Sequence, residues 1–137
     1  MTYYAVIDTN VLVSAMLKVN SIPRQILNAV FSGEIIPLLC DDIIEEYQEV
    51  LARPKFKFDQ RPVKIIVEGI IECGEFLEPK PTDEIIPDPK DIVFYEVALE
   101  GHKQFDDAYL VTGDTKHFPD THFVVTPREM HIIIYEK

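Results

Sequence analysis

Four acidic residues, Asp8, Glu46, Asp91 and Asp114, lie far apart in the chain, each where an α/β fold would bring it to one edge of a sheet. Asp8 ends the apolar run Tyr3-Tyr4-Ala5-Val6-Ile7, and Asp114 follows Tyr109-Leu110-Val111-Thr112-Gly113. Asp91 opens a helix at Asp88-Pro89-Lys90-Asp91, and Glu46 lies in the helical stretch after the second apolar run. Carboxylates gathered in one place disfavour each other's ionisation unless a cation neutralises them. Mg²⁺ or Mn²⁺ suits such a set, because these ions bind through carboxylates, keep several waters and leave room for phosphate. A water activated by the ion attacks phosphorus and a second ion stabilises the departing oxygen. The expected chemistry is therefore phosphodiester hydrolysis without a Cys or His nucleophile.

Each acid alone has a plainer reading. Asp8 would cap the helix that follows, Asp91 would complement a helix dipole, and Asp114 would be a turn residue after Gly113. Glu46 would be a solvated helix residue, but its position on the helical wheel argues otherwise. At about 100° per residue it lies nearer the buried stripe Ile43, Tyr47, Val50 and Leu51 than Glu45 or Glu49 does. Taken together, the four acids point to a shared site.

The elements that must position them alternate strand and helix. Residues 3–7 read as a buried central strand, followed by a helix over 11–17. Ser21-Ile22-Pro23 starts a second helix that Ser32-Gly33 stops. Residues 35–40 form a second strand, which Pro37 makes imperfect or edge-like. Asp41 or Asp42 caps the next helix, which runs to Arg53-Pro54. Pro62 opens another, ended by Gly74, and residues 76–90 connect, with Ile85-Ile86 a small strand or a packed loop. Further strands fall at 109–112 and 122–126. Thr126-Pro127-Arg128-Glu129 has the form of a helix start, although His131 to Tyr135 is β-branched; helix is the expectation. The economical fold is α/β, a mainly parallel sheet with helices on both faces. Ligands in such sheets collect beyond the carboxyl ends of the strands, where strand order reverses.

The chain of 137 residues suits a single domain, spanning 1–137, with 47% apolar residues and an ordinary charged fraction of 27%. A net charge of −11 argues against a protein that coats nucleic acid generally, but not against a nuclease whose acids hold metal. Cys40 and Cys73 form no zinc motif and are expected to be reduced. No signal peptide and no membrane span is expected, which makes the cytoplasm the default location.

With these residues placed, the chain resembles PIN-domain proteins, in the branch described as toxin components of toxin–antitoxin systems and related to VapC-type ribonucleases. The resemblance runs nearly end to end. Its carriers are Val6-Ile7-Asp8-Thr9-Asn10-Val11-Leu12-Val13-Ser14, Glu46-Tyr47 ahead of Val50-Leu51-Ala52-Arg53-Pro54-Lys55-Phe56, Asp88-Pro89-Lys90-Asp91, Leu110-Val111-Thr112-Gly113-Asp114, and Lys116-His117-Phe118-Pro119 ahead of Val125-Thr126-Pro127-Arg128-Glu129. It implies a three-layer α/β/α fold and Mg²⁺- or Mn²⁺-dependent cleavage of RNA by an acidic quartet at Asp8, Glu46, Asp91 and Asp114. Asn10 and Thr112 match supporting polar positions. The resemblance also implies a cognate antitoxin and a homodimer. Many relatives carry a further acid in a Gly-Asp-x-Asp pattern, whereas this chain reads Gly113-Asp114-Thr115-Lys116-His117. Asp107 is a weaker candidate to supply the missing acid. The departure leaves open a catalytically weak or inactive scaffold that binds RNA or a protein partner.

Residues 53–64 are basic and aromatic: Arg53, Lys55, Lys57, Arg61 and Lys64 surround Phe56 and Phe58. They could grip RNA phosphates and stack bases, or form a helix end whose phenylalanines pack into the core. His102, His117, His122 and His131 show no ligand spacing and read as ordinary histidines, and Ser14 lacks a nucleophile elbow. A receiver domain or a haloacid-dehalogenase-like phosphatase fits less well, because Asp8-Thr9-Asn10 supplies neither an acidic pair nor Asp-x-Asp.

Overall fold

In the computed structural model, which describes residues 1–136, five parallel strands form one sheet. The strands are β1 (Tyr3–Ile7), β2 (Ile35–Leu39), β3 (Glu75–Phe76), β4 (Ala108–Val111) and β5 (Val124–Val125). Their order across the sheet is β3-β2-β1-β4-β5. The helices are α1 (Thr9–Leu17), α2 (Ile22–Phe31), α3 (Asp41–Leu51), α4 (Gln60–Cys73), α5 (Pro89–Gln104) and α6 (Pro127–Tyr135).

The chain lays down β1, β2 and β3 outward in one direction, then crosses back to add β4 and β5 on the other side of β1. Strand order therefore reverses between β1 and β4, whose register pairs Ile7 with Val111. Such a reversal opens a crevice at the carboxyl edge, because the connections leaving the two strands diverge.

Side-chain alternation along β2 assigns the layers. Pro37 faces Ile26, Leu27 and Val30 of α2 and Ile70 of α4. Its neighbour Leu38 faces the opposite way, onto Gly101 of α5. The α6 helix joins the α2 side, where the Tyr3 hydroxyl donates to the Ile133 carbonyl. The result is the three-layer α/β/α arrangement. Ala5, Val6, Ile35, Leu38, Leu39, Leu110 and Val111 are fully buried at its centre.

Pro37 sits in the interior of strand order, beside the edge strand β3. The Leu39 carbonyl accepts from Leu77 on the β3 side, so Pro37, two residues earlier, faces that side too. β3 pairs with β2 only at Leu38 and Leu39, so the missing N–H of Pro37 falls where no ladder partner exists.

Several local expectations changed. β3 is a strand where none was expected, formed from two exposed residues. Ile85-Ile86 is loop, with Ile86 buried and Ile85 exposed. Cys40, not an aspartate, takes the cap position of α3, and Asp41 and Asp42 stand in its first turn, where they favour the helix dipole. The C-terminal segment is helical over 127–135. Thr126 accepts from the Glu129 N–H and the Glu129 side chain accepts from the Thr126 N–H, a reciprocal cap strong enough to override the β-branched run that follows.

Candidate active site

The four acids reach one cleft of about 400 Å³ at the carboxyl edge of β1 and β4. Asp8 leaves β1 and Asp114 leaves β4, on either side of the strand reversal. Asp91 stands in the first turn of α5, and Glu46 projects from α3. Glu46 is half-buried beside the apolar stripe of α3, whereas Glu45 and Glu49 are exposed.

Asp8 is buried, with 7% of its surface accessible, and its side chain does not cap α1. Instead its Oδ2 accepts a 2.7 Å hydrogen bond from the hydroxyl of Thr112, a residue with no exposed surface. The same hydroxyl oxygen accepts from the Asp114 N–H at 3.0 Å. Thr112 therefore ties the two strand-end acids together from beneath. Asn10 holds Asp114 as well: its amide donates to Asp114 Oδ2 at 3.0 Å, and its Oδ1 accepts from the Gly113 N–H at 3.5 Å. Thr9 donates to Glu46 Oε2 at 3.2 Å, joining α1 to α3. The Tyr47 hydroxyl, buried beside it, donates to the Ile7 carbonyl and pins α3 to the end of β1.

Three of the acids thus have a side-chain donor, and Asp91 has none among the described residues. Burial, then the charges of Asp8 and Asp88, raise the Asp91 carboxyl to about 6; Glu46 adds to this and His117 opposes it. Burial also raises Asp8, helped by the charges of Asp114 and Glu46, while the Thr112 hydroxyl and the Thr9 amide favour its ionised form. Desolvation is the largest cause at both positions, and mutual repulsion adds to it.

The donor set is all oxygen, which suits a hard divalent cation. Among the described residues, however, no three His, Cys, Asp or Glu side chains stand close enough to clasp one ion directly. The acids ring the cleft rather than touch. An ion that keeps several of its waters fits that spacing better than a bare one, so the residues fit a hydrated Mg²⁺ or Mn²⁺.

The expected supporting residues divide. Asn10 lines the cleft and Thr112 lies under it. Asp107 does not reach it. It precedes β4, where its carbonyl accepts from the Tyr4 N–H at the amino edge of the sheet. A four-residue strand, at roughly 3.3 Å per residue, separates it from the carboxyl edge. Lys116, in the place of the further acid, is exposed.

Of the basic stretch, Arg53 lines the cleft together with Phe56. Lys55 lies over the Phe56 ring, Lys57 closes a left-handed turn at φ 55°, and Arg61 pairs with Asp59; none of these three lines the cleft. Sequence reasoning missed Lys90 and His117, both on the rim. His117, read as an ordinary histidine, is carried back by the short 3₁₀ turn Thr115–His117 that follows Asp114. Its distance of three residues from Asp114 was the available signal. Asp88 also lines the cleft while its side chain caps α5 through the Lys90 N–H.

No helix among the described residues is long and apolar enough to cross a membrane. No solved structure matches the chain. An uncharacterized protein of Methanocaldococcus jannaschii is 29% identical over 113 residues, which cover 80% of this chain and 69% of that protein. The PIN domain profile matches residues 4–116, a span that includes all four acids with Asn10 and Thr112. The chain belongs to the PIN domain family, whose members are generally nucleases.

Proposed function

We propose that this PIN-domain protein is a Mg²⁺- or Mn²⁺-dependent endoribonuclease, the toxin of a type II toxin–antitoxin module. The observation that carries the reading is the convergence of Asp8, Glu46, Asp91 and Asp114 on one cleft at the strand reversal, with Thr112, Asn10 and Thr9 each orienting one acid. Those three donors hold the carboxylates in fixed directions, so little reorganisation is left for the reaction itself. Asp8, Glu46, Asp91 and Asp114 would hold the ion. When bound, it supplies an acidified water and positive charge for phosphodiester hydrolysis. Asp91 takes up or releases its proton near pH 6 and so couples cation binding to protonation. RNA is the substrate on this reading, a co-encoded antitoxin restrains the enzyme, and the working form is a homodimer in the cytoplasm.

The test is cleavage of labelled RNA by purified protein with Mn²⁺ or Mg²⁺. Activity should stop on adding chelator, and Asp8→Asn should abolish it while the circular dichroism spectrum stays native. Undiminished cutting by that variant would remove the mechanism. The antitoxin assignment is tested by the neighbouring gene, which should encode a small DNA-binding protein that inhibits cleavage when co-purified.

Two observations favour a second reading, a PIN-like scaffold that binds RNA or a protein without cutting. The further acid is replaced by Lys116, and no three ligating groups among the described residues close on one point. Calorimetry separates the two: no heat of Mn²⁺ binding at millimolar metal supports the scaffold.

A further inference from the structure

We propose that Arg53 and Phe56 form a nucleotide subsite on one wall of the cleft, in which Phe56 stacks an unpaired base and Arg53 holds the adjoining phosphate of single-stranded RNA. The inference rests on the nuclease reading for its location, beside the acids, but not for its binding chemistry.

The wall is built from a turn with an unusual conformation. After α3 the chain makes a single 3₁₀ turn over Pro54–Phe56. Lys57 then adopts φ 55°, the only positive φ at a non-glycine among the described residues. That left-handed residue reverses the chain and lays Phe58 against Phe56, with ring centroids 5.5 Å apart and planes 14° from parallel. A non-glycine at positive φ is strained, and such strain persists where surrounding contacts enforce it. Here the stacked rings are the enforcing contact. Both are only half-buried, although each packs on the core.

Core packing explains why these side chains are apolar. It does not explain why an aromatic ring, beside Val13 and Val50, lines a cleft that also carries acids and cations. A site for a hydrated ion alone has no use for an aromatic wall. A polynucleotide does, because each base has an apolar face that must leave water when the strand is held near the acids. From outside the cleft the Lys55 amine, on an exposed side chain, lies 5.0 Å from the ring centroid. An exposed cation–π contact is weak, and an incoming base and phosphate can displace it, the phosphate then taking the freed ammonium.

Arg53 supplies the second half. Its guanidinium is held by Glu49 through Nη2 at 2.9 and 3.1 Å and Nε at 3.3 Å. The pair is partly exposed, so its value is in orientation more than in energy. It fixes the guanidinium plane at the rim, and Nη1 has no partner among the described residues. Lys90 and His117 line the same cleft. Cationic and polar side chains thus stand among the acids, and a local arrangement of that kind can hold RNA on a chain whose net charge is −11. Stacking demands an unpaired base, so the same sequence in a duplex should not use this wall.

The experiment measures binding and cleavage separately. The intact protein with Ca²⁺ is titrated into a fluorescein-labelled 12-nucleotide RNA without secondary structure, and into the same strand annealed to its complement. Cleavage of the unlabelled strand is followed with Mn²⁺. Phe56→Leu, which keeps apolar volume, and Phe56→Tyr, which keeps the ring, are compared with wild type after their melting temperatures have been matched. Loss of stacking should raise Kd for the single strand by about 5- to 150-fold in Phe56→Leu, with Phe56→Tyr within about twofold of wild type. The change should appear in KM and leave kcat nearly constant. Arg53→Gln should weaken binding and flatten its salt dependence. Equal affinity of wild type and Phe56→Leu for the single strand overturns the inference, as does equal dependence on Phe56 for the duplex. If wild type cuts RNA with a KM indifferent to position 56, the nuclease reading stands and the subsite falls. If it binds single strands through Phe56 but never cuts, the subsite stands and the nuclease reading falls. No binding to single-stranded RNA at all overturns the subsite outright.

Discussion

Thr112→Val is the most searching perturbation of this site, because it removes one oxygen and almost nothing else. Thr112 has no exposed surface, and valine has nearly its shape. The hydroxyl makes two bonds, donating to Asp8 at 2.7 Å and accepting from the Asp114 N–H at 3.0 Å. A hydrogen bond to a charged group contributes about 1.5–3 kcal/mol, and orphaning a partly buried N–H adds about 1 kcal/mol. The loss at pH 7 should therefore be about 2.5–4 kcal/mol, a fall in Tm of roughly 10 °C for a domain this size. The loss should also depend on pH. Burial already raises the Asp8 carboxyl, and the Thr112 hydroxyl opposes that rise. Without the hydroxyl, the folded-state pKa of Asp8 goes higher still. In the wild type a raised pKa means that stability is greatest where Asp8 is protonated and declines as pH rises through its titration. The variant declines further, over a higher range, so the gap between the two proteins should be wide at pH 7 and narrow at pH 3.5. Urea unfolding at both pH values, without metal, measures this. The same experiment in an Asp8→Asn background should show a smaller penalty for losing the hydroxyl, since no buried charge then depends on it. A difference below about 0.5 kcal/mol at pH 7, or one that does not change with pH, refutes the argument that Thr112 supports an ionised Asp8.

Asp91 titrates at about 6, so divalent-ion affinity should hold steady above that pH and weaken below it, by about tenfold per pH unit for the one proton displaced. Isothermal titration with Mn²⁺ from pH 5 to 8 tests this, and the slope should be shallower in Asp91→Asn. Gly101→Ala should destabilise by about 1–3 kcal/mol, because the added methyl meets Leu38 Cδ1 in a core position with no exposed surface. Gly69→Ala should be neutral or stabilising: the methyl meets Phe31 Cε1 at 2.6 Å, but Phe31 is 44% exposed and can swing aside while α4 gains roughly 1 kcal/mol of helix propensity. Thermal melts of the two variants should move in opposite directions or differ clearly in size.

Much of the scaffold could be read from local pattern, since β1, β2 and β4 are continuous apolar runs and helix starts such as Ser21-Ile22-Pro23 and Thr126-Pro127 carry their own caps. The helical wheel separated Glu46 from Glu45 and Glu49 because one buried stripe already told which face pointed inward. β3 had no such signature: it is two exposed residues whose strand character comes from pairing with Leu38 and Leu39, more than thirty positions away. His117 and Lys90 were equally silent, for a rim residue is defined by what stands across from it.

Residue type and spacing were enough to mark which carboxylates would leave strand ends and helix starts, because period and capping are properties of neighbours along the chain. Which of the strand-end acids meet was settled by strand order. Placing β4 beside β1 brings Asp114 within reach of Asn10 and Thr112 within reach of Asp8, and leaves Asp107, just before that strand, at the opposite edge. That choice is made by long-range burial of β1 between two neighbours, and no local sequence window contains both partners.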